Sequence, residues 1–210
     1  MSEFRRRLMM AVKSSRLPKG YKEVEYIQNN GSAYIDTGIV ASKSLSFNIK
    51  FNKIKRDNVD KHIFGSRSNY YNKNSGVQLE SGSLYIKWGN NKMDDTPRVA
   101  TYEMIEVYCK DGNTTVILDD SITLTYTKFY GNSYINGSMY LFAYNNNGSL
   151  VTSAGTVKIY KLIIYNDNDE PILDFVPSIN PNNEVGMYDL VNNTFFRNQG
   201  NGTFIAGNPV

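Results

Sequence analysis

The chain has 210 residues, 40% of them hydrophobic, 13% aromatic and 20% charged, and a formal net charge of +3. That length suits one domain, which would bury about 70% of its unfolded surface and needs neither disulfides nor metals to fold. Low charge and 16 tyrosines exclude a disordered or coiled-coil chain, and 26 Asn with 16 Gly imply many reversals and few long helices.

The basicity is local. Residues 1–20 hold Arg5, Arg6, Arg7, Lys13, Arg16 and Lys19 against Glu3 alone, so the other 190 residues carry a net charge of −2. A near-neutral body offers no field for a polyanion, and no nucleic-acid partner is expected. Within the basic stretch, Phe4, Leu8 and Val12 fall on one stripe at helical spacing, which predicts a short helix over 3–14. Leu17-Pro18-Lys19-Gly20 ends it. The expected division is therefore an arm over 1–16 and one domain over 17–210. The apolar run from Leu8 to Val12 is too short for a signal peptide or a membrane span.

Beyond Tyr21 the period changes to two. Leu45, Phe47, Ile49 and Phe51 alternate with polar residues and predict a half-buried strand. Leu84, Ile86 and Trp88 predict another, with Trp88 in the core. Ile105, Val107 and Cys109 lead through Asp111-Gly112-Asn113 into a returning strand over 114–118, and Asp119-Asp120 turns into 122–126. Residues 139–144 and 156–165 are apolar on both faces, as in strands covered on both sides. A closing meander covers 185–190, 194–197 and 203–206. Ten or more short strands predict an all-β, antiparallel two-sheet jelly-roll sandwich with a short N-terminal helix.

Catalytic chemistry is thinly provided. Cys109 is the single cysteine and alternates with core residues, so it is expected as a buried thiol. His62 is the single histidine and is expected at a strand edge, bonded to backbone; no second imidazole exists for a metal site. Glu23 with Glu25, and Glu103 with Glu106, have spacings that a glycoside hydrolase could use, but they lack the E-x-D-x-x-E pattern of jelly-roll glucanases. Asp94-Asp95 and the run from Asn166 to Glu170 read as turns rather than calcium loops, because Asn and Asp close turns with their own side chains. No enzyme, no cofactor and no metal are expected. Aromatics beside amides suit sugar recognition, and Tyr70, Tyr71, Tyr130, Asn132, Tyr134 and Tyr144 form the candidate glycan-binding set.

Two blocks carry a resemblance. Leu17-Pro18-Lys19-Gly20-Tyr21-Lys22-Glu23-Val24-Glu25-Tyr26-Ile27 with Tyr34-Ile35-Asp36-Thr37-Gly38 opens the body. Asp174-Phe175-Val176-Pro177, Glu184-Val185-Gly186-Met187-Tyr188-Asp189-Leu190, Thr194-Phe195-Phe196 and Gly202-Thr203-Phe204 close it. They resemble concanavalin A-like (LamG-like) jelly-roll domains of phage and prophage structural proteins from gut bacteria. The head, from Phe4 to Met10, is similar to the leader of such proteins. The resemblance implies a non-enzymatic virion component, such as a head or tail fibre, a decoration or an attachment module. Phe4, Arg5, Arg6, Arg7, Leu8 and Val12 would then anchor it to other virion proteins or to copies of itself. The alternative is a lectin or adhesin contacting host-surface glycans.

Overall fold

The computed structural model describes residues 16–54, 60–68, 73–88, 91–92, 97–99, 103–110, 113–127, 136–152 and 156–210, with Lys73, Asn91, Lys92 and Thr127 as backbone alone. The helix expected over 3–14, and with it Phe4, Arg5, Arg6, Arg7, Leu8 and Val12, lies outside them.

The described residues form β-strands and no helix. In chain order these are β1 (Lys22–Glu23), β2 (Ile27–Asn30), β3 (Ile35–Val40), β4 (Ser46–Asn52), β5 (Lys61–Ser68), β6 (Lys73–Glu80), β7 (Ser83–Trp88), β8 (Asn91–Lys92) and β9 (Met104–Lys110). Next come β10 (Asn113–Leu118), β11 (Ile122–Thr127), β12 (Ser138–Leu141), β13 (Tyr144–Asn146) and β14 (Ser149–Val151). The last are β15 (Lys158–Tyr165), β16 (Pro171–Ile179), β17 (Val185–Asp189), β18 (Thr194–Arg197) and β19 (Thr203–Ala206).

They make the expected two-sheet sandwich. An eleven-stranded sheet runs β11-β10-β9-β4-β15-β16-β17-β18, with β1 on β16 and β2 joining β15 to β19. An eight-stranded sheet runs β14-β13-β5-β6-β7-β8, with β12 joining β3 to β5. Both faces contribute alternate residues to one core. Phe47 of β4 meets Trp88 of β7 at 5.1 Å and Phe64 of β5 at 5.7 Å between ring centroids, which ties the sheets together. Each such ring contributes about 1.5–3 kcal/mol by its burial. The predicted alternation on β4, β7 and β9 holds: Phe47, Ile49, Phe51, Leu84, Ile86, Trp88, Ile105, Val107 and Cys109 are all buried.

Two expectations need correction. Residues 139–144 are not one strand, because Phe142 has φ +70° and reverses the chain while its N–H donates to Ile63 O at 2.8 Å. Nor is the sandwich wholly antiparallel. After that reversal β13 runs parallel to β5, with Asn145 opposite Ser66 and Asn146 opposite Arg67.

The opening and closing segments of the described body meet on the larger sheet. Leu17 packs with Val176 and Tyr188 on the side of that sheet away from the core, beside Tyr21, Leu190 and Phe195. Asn198 fastens the closing turn to the opening strands. Its Oδ1 accepts from the N–H of Tyr34 and Gly200, and its Nδ2 donates to Gly200 O and Gly202 O.

Candidate functional site on the outer face of the smaller sheet

Register and burial define this face. Phe64, Val77, Leu79, Leu84 and Ile86 point into the core, so the residues alternating with them point outwards. Three rows cross the sheet there. His62, Gln78 and Tyr85 are opposite one another, then Gly65, Gly76 and Lys87, then Asn146, Arg67 and Asn74. A bulge between His62 and Phe64 keeps His62 on this face despite its odd spacing from Gly65.

Tyr144 lies across the middle of it. Its ring stacks on His62 at 4.7 Å with planes 26° apart, and it passes so close to Gly65 that a Cβ there would stand 2.7 Å from the ring. Gly65 and Gly76, with φ +148° and +151°, hold the glycine-favoured backbone that lets β5 and β6 meet beneath the ring. Tyr144 is thus fully buried, not the exposed loop tyrosine that its Asn-rich neighbourhood predicts. Tyr70, Tyr71, Tyr130, Asn132 and Tyr134 lie outside the described residues. His62 is also not at a strand edge: β5 lies between β6 on one side and β12 and β13 on the other.

The unusual feature of the face is its unmet hydrogen-bonding capacity. Tyr144 Oη, Asn74 Oδ1 and Asn146 Oδ1 are buried and have no hydrogen-bond partner. Most buried polar atoms are paired, so neighbouring exceptions call for an explanation. Ser46, Ser66 and Ser178 leave hydroxyls in the same state at scattered positions. By contrast Asn145, between Tyr144 and Asn146, is satisfied: it donates to Ser138 O at 2.9 Å and accepts from the Gly148 N–H at 2.7 Å. Burial pushes the Tyr144 phenol well above its ordinary value, with Arg67 opposing and Glu80 adding to the rise. Burial first, then the charge of Arg67, lowers His62 to about 4, so its imidazole is neutral at neutral pH.

The opposite outer face, on the larger sheet, is closed by its own pairs. Glu106 accepts from Lys161 at 2.7 Å and from Asn48 at 3.0 Å, Lys50 meets Asp120 at 2.6 Å, and Lys110 meets Asp169. One amide oxygen there, Asn48 Oδ1, is buried without a partner.

The acids weighed for hydrolysis are similarly occupied. Glu23 takes a two-pronged hydrogen bond from Arg16, Nε donating at 3.0 Å and Nη2 at 2.5 Å. Glu25 accepts from Asn208 Nδ2 at 3.2 Å. The Asn166–Glu170 run is a turn, with Asn166 Oδ1 accepting from the N–H of Asn168 and Glu170. Asn180–Glu184 repeats it, Asn180 Oδ1 accepting from the N–H of Asn182 and Glu184. No group of three or more metal-ligating side chains occurs among the described residues. Asp94 and Asp95 lie outside them. No described helix is long and apolar enough to cross a membrane.

No family model and no curated protein matches the chain. Solved structures do. A candidate carbohydrate-binding protein from Bacteroides ovatus superposes with a TM-score of 0.50 at 12% identity, over 90% of this chain and 62% of that one. Domains LG4-5 of the mouse laminin α1 chain give 0.40 at 11% identity over 74% and 45%, and a SAP-like pentraxin of Limulus polyphemus gives 0.36 at 14% over 72% and 76%. The neighbours are concanavalin A-like, LamG-type sandwich domains. At such identities the likeness speaks to fold alone. This chain spans less than two-thirds of the Bacteroides protein.

Proposed function

We propose that the chain is a non-catalytic carbohydrate-binding domain whose site is the outer face of the smaller sheet. The observation that carries this reading is the set of partnerless buried oxygens on Tyr144, Asn74 and Asn146, beside His62, Gln78 and Tyr85. An unsatisfied buried polar atom costs about 1–3 kcal/mol, which a ligand bearing hydroxyl donors would recover once the side chains covering these oxygens move aside. Sugars present such hydroxyls at close spacing, and aromatic rings beside amides suit them. The description of the Bacteroides ovatus protein as carbohydrate-binding is in keeping with this. The engagement of Glu23, Glu25 and Glu106 elsewhere supports binding without hydrolysis.

A glycan array tests the proposal. Hits are expected to weaken about tenfold in Asn74→Ala and Asn146→Ala, as the loss of one hydrogen bond of about 1.4 kcal/mol implies. Hits unmoved by both variants would place the site elsewhere. The same array run on Tyr70→Ala, Tyr71→Ala and Tyr134→Ala assigns or removes the loop tyrosines.

A virion role is the second reading, with residues 1–16 as the anchor. It is supported by the firm seat at the base of that arm, where Leu17 is buried and Arg16 grips Glu23. Assembly of particles with the protein lacking residues 2–15 tests it: undiminished incorporation refutes anchoring.

A further inference from the structure

We infer that this face takes a linear chain of neutral sugars rather than a single sugar, with Asp36, Tyr34 and Tyr140 forming a second sugar seat beside the buried oxygens. This rests on the carbohydrate-binding reading above and adds the length of the ligand and its second point of attachment.

The register places the seat. Tyr140 of β12 stands opposite Asp36 of β3 on one side and Gly65 of β5 on the other. Its neighbour Leu141 is opposite Ile35 and Phe64 on the same two strands, and those three residues are buried in the core. Asp36 and Tyr140 therefore point outwards, in line with the row of Gly65, Gly76 and Lys87. Tyr34, two residues before Asp36, shares that face. Its ring stacks on Tyr140 with centroids 4.7 Å apart and planes 30° apart. Gly65 is also the residue that the Tyr144 ring crosses. The stacked pair thus begins one strand spacing, about 4.8 Å, from the strand beneath Tyr144.

The seat is both fixed and open. The Tyr34 N–H donates to Asn198 Oδ1 at 3.1 Å, the Asp36 N–H to Gln199 Oε1 at 3.0 Å, and the Gln199 N–H to Tyr34 O at 3.0 Å. Asp36 Oδ1 accepts from the Gly38 N–H at 2.9 Å, which sets the carboxylate and leaves Oδ2. Among the described residues no cation pairs with Asp36, and neither phenol hydroxyl of the stacked pair bonds to the chain. Tyr144 Oη is buried, whereas these oxygens are not, so a ligand reaches them with no side chain moving aside.

The chemistry suits adjacent sugar hydroxyls. The carboxylate oxygen accepts their protons, and the two phenols both donate and accept. A fixed pair of tyrosine rings also loses little rotamer freedom on binding. A uronic acid or a sulfated sugar here would set like charge against Asp36, so the unit that fits is neutral. Length follows from the spacing. Asp36 and Asn74 lie on strands separated by β12 and β5, a distance of about 14 Å. One sugar ring does not reach both. A chain of sugars does, and each seat raises the effective concentration at the other.

The test is a glycan array that carries neutral and acidic sugars, each as its mono- to hexasaccharide, probed with the full chain and its variants. Signal on neutral glycans is expected to rise with length and to level off once both seats are filled. Asp36→Asn keeps an acceptor for the Gly38 N–H and Tyr34→Phe keeps the ring stack, so both should fold, which an unchanged urea midpoint shows. Each should weaken the longer glycans about tenfold and leave the shorter ones as they were, whereas Asn74→Ala weakens long and short alike. Binding independent of length, hits confined to acidic glycans, or longer glycans unmoved by both variants overturns the inference; the carbohydrate-binding reading then stands if Asn74→Ala still weakens the hits. Equal weakening of short and long glycans by Asp36→Asn also overturns it, since Asp36 would then share one seat with Asn74. An empty array removes both readings.

Discussion

Replacing Tyr144 by Phe sets stability against binding at a single atom. The ring remains, so its stacking on His62 and its packing over Gly65 are kept. Only the hydroxyl is lost, and in the free protein that hydroxyl is fully buried without a partner. Its desolvation costs about 1–3 kcal/mol, so Tyr144→Phe should be more stable by about that amount. For a chain of this size that is roughly 2–10 °C in Tm. An alkaline signature accompanies the gain. Burial raises the phenol pKa, so the folded state keeps its proton above pH 10 while the unfolded state releases it. Stability is therefore independent of the Tyr144 ionisation below the unfolded value of about 10 and falls as pH rises further. The variant should lack that loss, and its advantage over the parent should grow by up to about 1.4 kcal/mol for each pH unit above 10. Calorimetry at pH 7 and urea titrations from pH 8 to 11 measure both effects. A variant destabilised by 1 kcal/mol or more at pH 7 would refute the reasoning, since the hydroxyl must then have a partner in the fold. On the glycan array the same variant should bind more weakly, because the oxygen that is costly in the free protein is one the ligand uses.

Three further outcomes follow from the geometry. His62, lowered to about 4 mainly by burial, stays neutral in the fold while the unfolded chain takes up a proton near pH 6.5; its contribution is intact above pH 6.5 and declines by at most about 3 kcal/mol down to pH 4. His62→Gln should flatten urea-derived stability over that window, and an unchanged slope would acquit His62. Gly76→Ala would bring a Cβ to 2.0 Å from Phe64 O in a glycine-favoured conformation, so a loss of about 3 kcal/mol or more is expected in urea unfolding; a loss under 1 kcal/mol would mean that β5 and β6 can separate there freely. Asn180→Ala removes the acceptor for the N–H groups of Asn182 and Glu184 and should cost about 1–2 kcal/mol by the same measurement, with no cost at all counting against the turn as drawn.

The core was legible and the site was not, for one physical reason. A strand with one face buried writes a period of two, so Phe47, Ile49 and Phe51 or Ile105, Val107 and Cys109 announce both a strand and its inward side. β5 and β6 write nothing of the kind. The bulge at His62 shifts the phase of Lys61–Ser68, two glycines replace side chains where the strands meet, and Ser66 and Ser75 are buried where apolar residues are expected. These departures are also what assemble the face. The bulge turns His62 outwards, the glycines admit Tyr144, and the reversal at Phe142 lays Tyr144 and Asn146 beside β5 in parallel. In the sequence Tyr144 adjoins Asn145, Asn146 and Asn147, and it reads as an exposed loop aromatic because nothing local encodes that reversal. One signal was available: Asn166 to Glu170 and Asn180 to Glu184 share the pattern Asn, three residues, Glu, with positive φ at Asp169 and Asn183. It marks turns, which position strands, and not a site. Sequence that breaks the strand period is therefore where the face has to be sought, because it is there that a bulge, two facing glycines and several partnerless oxygens coincide.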